Sequence, residues 1–270
     1  MEKQLKYPIL MVHGMGFRDR KYLNYWGRIP AALESAGCQI FYGNQDSNAS
    51  IETNALVLRD KIFEILEKTG ADKVNVIAHS KGGLDIRCAI AKYGLGDKVA
   101  SVTTMSTPHN GSVTVDKLLK LPDFLVRIAG KCTDIVFRVL GDKQPDSYSV
   151  FKSFTTDGAA KFNAEYPDAP ETYYQSYAFA MKSPFSDIFL WFPSLVVWLV
   201  EGVNDGLLTP ESVKWTNFKG IVRSNSRRGI SHCDEVDMRR IRLTRKQGEG
   251  VSDITEFYIG VANDLMLMGY

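Results

Sequence analysis

The sequence predicts an α/β fold: a mainly parallel sheet flanked by helices, with helical lid or cap insertions. Three observations carry this. Over the first 112 residues, short apolar runs alternate with longer segments of helical periodicity, as strands joined by right-handed helical crossovers do. The first run, 8–12, is continuously apolar, the mark of a strand covered on both faces. Beyond residue 112 the alternation stops, and apolar residues recur at mostly helical intervals with no clear strand until about residue 170.

In order, 8–12 reads as a strand that ends in His13-Gly14-Met15-Gly16-Phe17. Residues 23–36 read as a helix stopped by Gly37, and 38–42 as a second strand. Residues 54–69 form a clearer helix, with Leu58, Ile62, Ile65 and Leu66 on one face and Gly70 after its end. A strand at 73–79, a helix at 83–93 and a strand at 99–105 follow. The helical insertion at about 113–170 carries Leu118, Leu121, Phe124, Leu125, Ile128, Val136 and Val139. Strand-like sequence returns at 173–180, and a second apolar insertion covers about 185–203. Residues 218–222 read as the last strand and 254–268 as the closing helix. With no internal repeat and no linker, residues 1–270 are expected to form a single domain carrying the two insertions.

Composition narrows the function classes. The chain is 44% hydrophobic and 24% charged with a formal net charge of +2, so no nucleic-acid partner is expected. The dense basic cluster Arg239, Arg240, Arg242, Arg245 and Lys246 follows Asp234, Glu235 and Asp237 and reads as a solvated face. Cys38, Cys88, Cys132 and Cys233 show no CxxC spacing, and Cys88 is expected in the core. The apolar run at 188–200 contains Pro193 and falls short of the about 20 residues a spanning helix needs, so no transmembrane segment is expected. Residues 1–6 are polar and 7–12 are too short for a signal core; the expected setting is cytoplasmic, or secreted if this is a mature form.

The chemistry centres on Val74-Asn75-Val76-Ile77-Ala78-His79-Ser80-Lys81-Gly82-Gly83-Leu84. A strand running into a glycine pair with a serine at the corner is the layout of a nucleophile elbow, G-x-S-x-G, here with alanine at the first position. A serine hydroxyl needs a base, and the base needs an acid to fix its tautomer. Among four histidines, His232 lies just after the last predicted strand and is the expected base. His13, His79 and His109 are expected to be structural, with His79 pointing away from the serine. Asp205, between glycines in Gly202-Val203-Asn204-Asp205-Gly206, is the expected acid; Asp187 is the alternative, and Glu201 a weaker one in an apolar, helix-like run. The backbone amides of Met15 and Lys81 are the expected oxyanion donors.

These blocks resemble the bacterial true-lipase family of α/β-hydrolases, the Pseudomonas and Burkholderia type of triacylglycerol lipase. The resemblance rests on Tyr7-Pro-Ile-Leu-Met-Val-His-Gly14, Val76-Ile-Ala-His-Ser-Lys-Gly-Gly83, Thr104-Met-Ser-Thr-Pro-His-Asn-Gly111, Phe162-Asn-Ala-Glu-Tyr-Pro167, Asn204-Asp-Gly-Leu207 and His232-Cys-Asp-Glu-Val236. It covers nearly the whole chain in the family's order. The elbow alanine and the lack of a cysteine pair where some members carry a disulfide are departures. The resemblance implies no organic cofactor. It does imply a structural calcium, with Asp234 at one ligand position, Asp187 at another, and carbonyls near Met238 and Arg242.

The resulting expectation is a serine carboxylester hydrolase, a lipase cleaving acylglycerol esters, with 113–140 as a mobile lid and transient contact with a lipid interface. A short-chain esterase or acyltransferase shares the same triad. A non-catalytic hydrolase-fold binding protein, or a membrane-peripheral protein acting through 188–200, are rivals of another class. Labelling by a fluorophosphonate separates the catalytic readings from these.

Overall fold

The computed structural model describes residues 5–16, 18–19, 24–246 and 248–270. Phe17 of the first loop and Leu23, where the sequence opens a helix, lie outside the described residues. The elements are β1 (Ile9–Val12), α1 (Ile29–Ser35), β2 (Ile40–Tyr42), α2 (Ile51–Thr69), β3 (Val74–His79), α3 (Lys81–Tyr93) and β4 (Val99–Met105). Four helices follow: α4 (Val113–Leu118), α5 (Asp123–Val139), α6 (Ser147–Ser153) and α7 (Thr156–Glu165). Then come β5 (Tyr173–Phe179), a 3-10 turn (Pro184–Ser186), α8 (Trp191–Val200), α9 (Pro210–Val213), β6 (Asn217–Val222) and α10 (Ile254–Leu267).

All six strands pair in parallel, in the order β2-β1-β3-β4-β5-β6. Alternation along each strand sorts the core into two layers. Leu10, Val12, Val76 and Ala78 face α2 and α3, where Leu58, Ile62, Leu84 and Ile86 complete one cluster. Ile9, Met11 and Ile77 face the other way, onto Trp26, Ile29, Tyr258 and Val261 of the α1–α10 side. Local signals set the helix ends. Ser50 accepts from the Thr53 amide to open α2, and Gly70 at φ 70° closes it. Asp253 and Glu256 form a capping box on α10.

Register decides where the loops emerge. Met11 pairs with Ile77 and Val12 with Ala78, so β1 and β3 end level and the loops that follow them leave side by side. The edge strand β6 is half exposed along its length, and its pairing with β5 slips between Ser176 and Ala178. Across 113–170 only scattered residues of the helices are buried; in α5 the single buried residue is Gly130.

Candidate active site

Ser80 sits at the tip of β3 with φ 53° and ψ −131°, a conformation that costs a non-glycine residue about 1–3 kcal/mol and persists because its surroundings dictate it. Those surroundings explain the glycines. A Cβ on Gly82 would lie 2.5 Å from the carbonyl oxygens of Val12 and His13. One on Gly14 would lie 2.8 Å from the Ser80 Cβ. The loop after β1 is thus pressed against the serine at Gly14, the residue before Met15. Lys81 occupies the first position of α3, where an amide has no carbonyl four residues back within the helix. Among the described residues, neither the Met15 nor the Lys81 amide donates to a backbone carbonyl, and the Ser80 hydroxyl makes no hydrogen bond.

The expected base and the expected acid meet across two loops. The His232 amide donates to the Asp205 carbonyl over 2.8 Å, and its Nδ1 donates to Asp205 Oδ2 over 2.9 Å. Asp205 Oδ1 accepts from the amides of Leu207 (2.9 Å) and Leu208 (2.8 Å). Burial alone would raise the Asp205 pKa; the His232 ring and the two amides outweigh it and hold the carboxyl below the ordinary aspartate value. With Nδ1–H committed to Asp205, Nε2 is left as the proton acceptor.

Behind this pair lies a second buried set. The Tyr25 hydroxyl donates to His79 Nδ1 over 2.6 Å, which leaves His79 Nε2–H to donate to Glu235 Oε2 over 3.1 Å. Ser106 donates to Glu235 Oε1 over 3.0 Å, and Tyr258 donates to the Glu235 carbonyl over 2.9 Å. The His79 and His232 rings lie 4.3 Å apart. Glu235 is fully buried; burial first, then the Asp205 charge, push its pKa well above the ordinary glutamate value. Burial, then the facing His232, push the His79 pKa well down. His79, His232 and Glu235 could offer a metal three ligand atoms within 4.8 Å of one another, yet these nitrogens and oxygens are already committed to hydrogen bonds or to the base role.

A sequence profile described as the alpha/beta hydrolase fold matches residues 7–214. The chain belongs to the α/β-hydrolase family. The hydrolase is 29% identical to triacylglycerol lipase 2 of Saccharomyces cerevisiae over 93% of its own length and 78% of that protein's. It is 32% identical to a triacylglycerol lipase of Vibrio cholerae over 63% of its length and 57% of that protein's. A metagenomic carboxyl esterase, MGS0156, superposes with a TM-score of 0.72 at 15% identity, over 96% of this chain and 75% of that one.

The hydrolase brings Asp205 onto His232 and leaves the other candidate acids elsewhere. Asp187 faces Ser231 and Arg239. Glu201 accepts from the Ser112 hydroxyl (2.8 Å) and the Thr114 amide (2.8 Å) at the start of α4. His13 lies between the Gly14 and Gln45 carbonyls at 2.8 and 3.1 Å and braces the loop, with its pKa pushed by burial to about 4. His109 stacks on Trp215 and is reached by Arg87. The expectation for His79 is amended: it is buried, and it packs on the base. The sequence reading named Glu235 only as an acidic neighbour of the basic cluster and as part of the His232–Val236 block, and gave it no place at the site; its one signal is its position three residues after His232. The basic cluster is also corrected. Arg239 is not a solvated charge: it is drawn inward by Asp187 and Asp234. The four cysteines are free thiols, and Cys88 is in the core.

Proposed function

We propose that this hydrolase is a serine carboxylic ester hydrolase of the lipase kind, with Ser80 as nucleophile, His232 as base and Asp205 as orienting acid. The His232–Asp205 pair, set on the ring of the residue preceding an elbow serine, carries the reading. His232 Nε2 takes the hydroxyl proton as Ser80 attacks the ester carbonyl. The Met15 and Lys81 amides receive the tetrahedral oxyanion, each worth about 2.7–4 kcal/mol of transition-state stabilisation. The imidazolium is stabilised by Asp205, gives its proton to the leaving alcohol, and then activates the water that releases the acid.

The acylglycerol substrate is supported by the lipase relatives and by exposed apolar surface on the two insertions. Phe124 (61% exposed), Ile128, Val139, Ile188 (77%), Phe189 and Leu199 stand open on α5 and around α8. Residues 1–270 act as one catalytic unit in this reading, with 113–170 and 185–203 as a cap that meets a lipid interface. No helix among the described residues is long and apolar enough to cross a membrane. The catalytic steps call on no organic cofactor, and none passes through a metal. Asp187 and Asp234, which the resemblance gives to calcium, are engaged by Arg239.

A panel of p-nitrophenyl esters from acetate to palmitate, run beside a triglyceride emulsion, tests the reading. Hydrolysis is expected, together with Ser80 labelling by a fluorophosphonate and loss of both in a folded Ser80→Ala variant. Substantial residual turnover in that variant would sink the assignment of the nucleophile.

A further inference from the structure

The loop that carries His232 is held at its base by an arginine in the place where the resemblance sets a calcium ion. Asp187 follows the 3-10 turn after β5; Ser231 and Asp234 bracket His232. Arg239 Nη2 donates to Asp187 Oδ2 over 2.5 Å, and its Nη1 pairs with Asp234 Oδ1. The Asp187 side chain is fully buried, and those of Asp234 and Arg239 nearly so, at 6% and 15% exposure. The remaining carboxylate oxygens are taken as well. Asp187 Oδ1 accepts from the Phe189 amide over 2.8 Å. The Ser231 hydroxyl lies within hydrogen-bond reach of Asp187 Oδ2 and Asp234 Oδ2, and the Ser231 amide donates to Asp234 Oδ2 over 3.3 Å.

This donor set does not fit calcium. The ion takes six to eight oxygen ligands at about 2.3–2.6 Å, whereas N–H and O–H donors already fill both carboxylates here. A dication would also stand against the guanidinium. The planar fork of arginine spans two carboxylates in a way that the point charge of lysine does not.

We propose that Arg239 is a built-in structural cation: it ties the base-carrying loop to the segment after β5, so that the position of His232 is independent of divalent metal. A second guanidinium serves the other flank of the same loop. Arg28 forks onto Asp237 at 2.7 and 2.8 Å and onto Asp253 at 2.8 and 2.9 Å. The segment from Ser231 to Asp253 is thus fastened twice by charges that belong to the chain itself.

Thermal unfolding in chelator and in millimolar calcium tests the proposal, read on the wild-type chain and on Arg239→Ala. Both are also measured in a Ser80→Ala background, so that the result stands apart from the hydrolytic reading. The wild type is expected to melt at the same temperature in both conditions. R239A in chelator is expected to melt about 4–10 °C lower, as one partner of a largely buried ion-pair cluster is lost. Calcium should recover part of that loss in R239A alone, since the two carboxylates are then left without their cation. A calcium-dependent rise in the wild type, an R239A that melts with the wild type, or a destabilised R239A that calcium leaves unchanged would each overturn the proposal. Should R239A not fold, equilibrium dialysis of the wild type against calcium decides: no bound ion upholds it, and one ion per chain overturns it.

Discussion

Asp205 and Glu235 are both fully buried within reach of the His232 ring, and their surroundings drive their proton affinities apart. His232 and two amides hold Asp205 below the ordinary aspartate value against its burial; burial, then the facing Asp205 charge, push Glu235 well above the ordinary glutamate value. Asp205→Asn is expected to cut kcat by about four orders of magnitude through the wrong imidazole tautomer, while Asp187→Asn leaves kcat within a few-fold. A steady-state comparison of the two variants checks which carboxylate is the acid. For Glu235 the linkage runs toward alkali. Its folded pKa lies above its unfolded value, so its contribution is whole below the unfolded pKa and is lost as pH rises toward the folded one. Glu235→Gln has no proton to lose. Its stability should therefore fall less than that of the wild type as pH rises from about 4.5, the unfolded glutamate value, toward the raised folded one. Equal slopes would mean that Glu235 is ionised in the fold. Ser80, Asp205 and His232 were legible in the sequence because each sits in a short motif of glycines and polar residues. Glu235 was not, because Tyr25, His79, Ser106 and Tyr258, which define its role, come from four distant parts of the chain.

Among the elements, the strands were read nearly to the residue, since both-face burial writes itself as apolar runs bounded by glycine or polar residues. The insertions were read as helical but not divided. The breaks after α4 and α5 depend on Pro122 and Gly141, and the four residues of α9 are too few to show a period. What the periodicity of α5 did show is an apolar stripe, and the structure leaves that stripe largely in water. If α5 seats in lipid, Phe124→Ser and Ile128→Ser each forfeit about 1.5–3 kcal/mol of transfer free energy, so interfacial binding should drop at least about tenfold per residue. Activity on an emulsion is expected to fall accordingly, while hydrolysis of dissolved p-nitrophenyl acetate stays near wild type. A parallel loss on both substrates would return α5 to an ordinary packing role.

For the molecule as a whole, buried titratable groups oppose one another. His13, His79 and His109 are neutral in the fold, each held below 6.5 first by burial. Each adds stability above its unfolded pKa that is lost as pH falls. Asp19, Asp85 and Glu235 run the other way: burial raises them, to about 7 for Asp19 and about 6 for Asp85. Below about pH 6.5 the histidines bind protons more readily in the unfolded chain and the raised carboxyls more readily in the folded one, so the slopes of the two sets oppose each other. Removing one carboxyl proton exposes the histidines. In Glu235→Gln, stability should rise with pH more steeply than in the wild type on the acid side of neutrality, by up to about 1.4 kcal/mol per pH unit for the one proton removed. Urea titrations followed by tryptophan fluorescence measure both. The arginine that enters the loop beyond His232 belongs at this scale too: five basic residues in eight positions look alike on paper, and only the fold picks out the one that turns inward.

The exposed last strand bears on how such a molecule stays in solution. A sheet that ends in β6 offers a row of open amides and carbonyls to any neighbouring chain, and this chain already displays apolar helices that invite neighbours. The slip opposite Ser176, Gly220 at φ 91° and the charge of Lys219 spoil that edge as a template, since a bent, charged strand cannot run flush against a second copy. Self-association is thereby steered away from sheet extension.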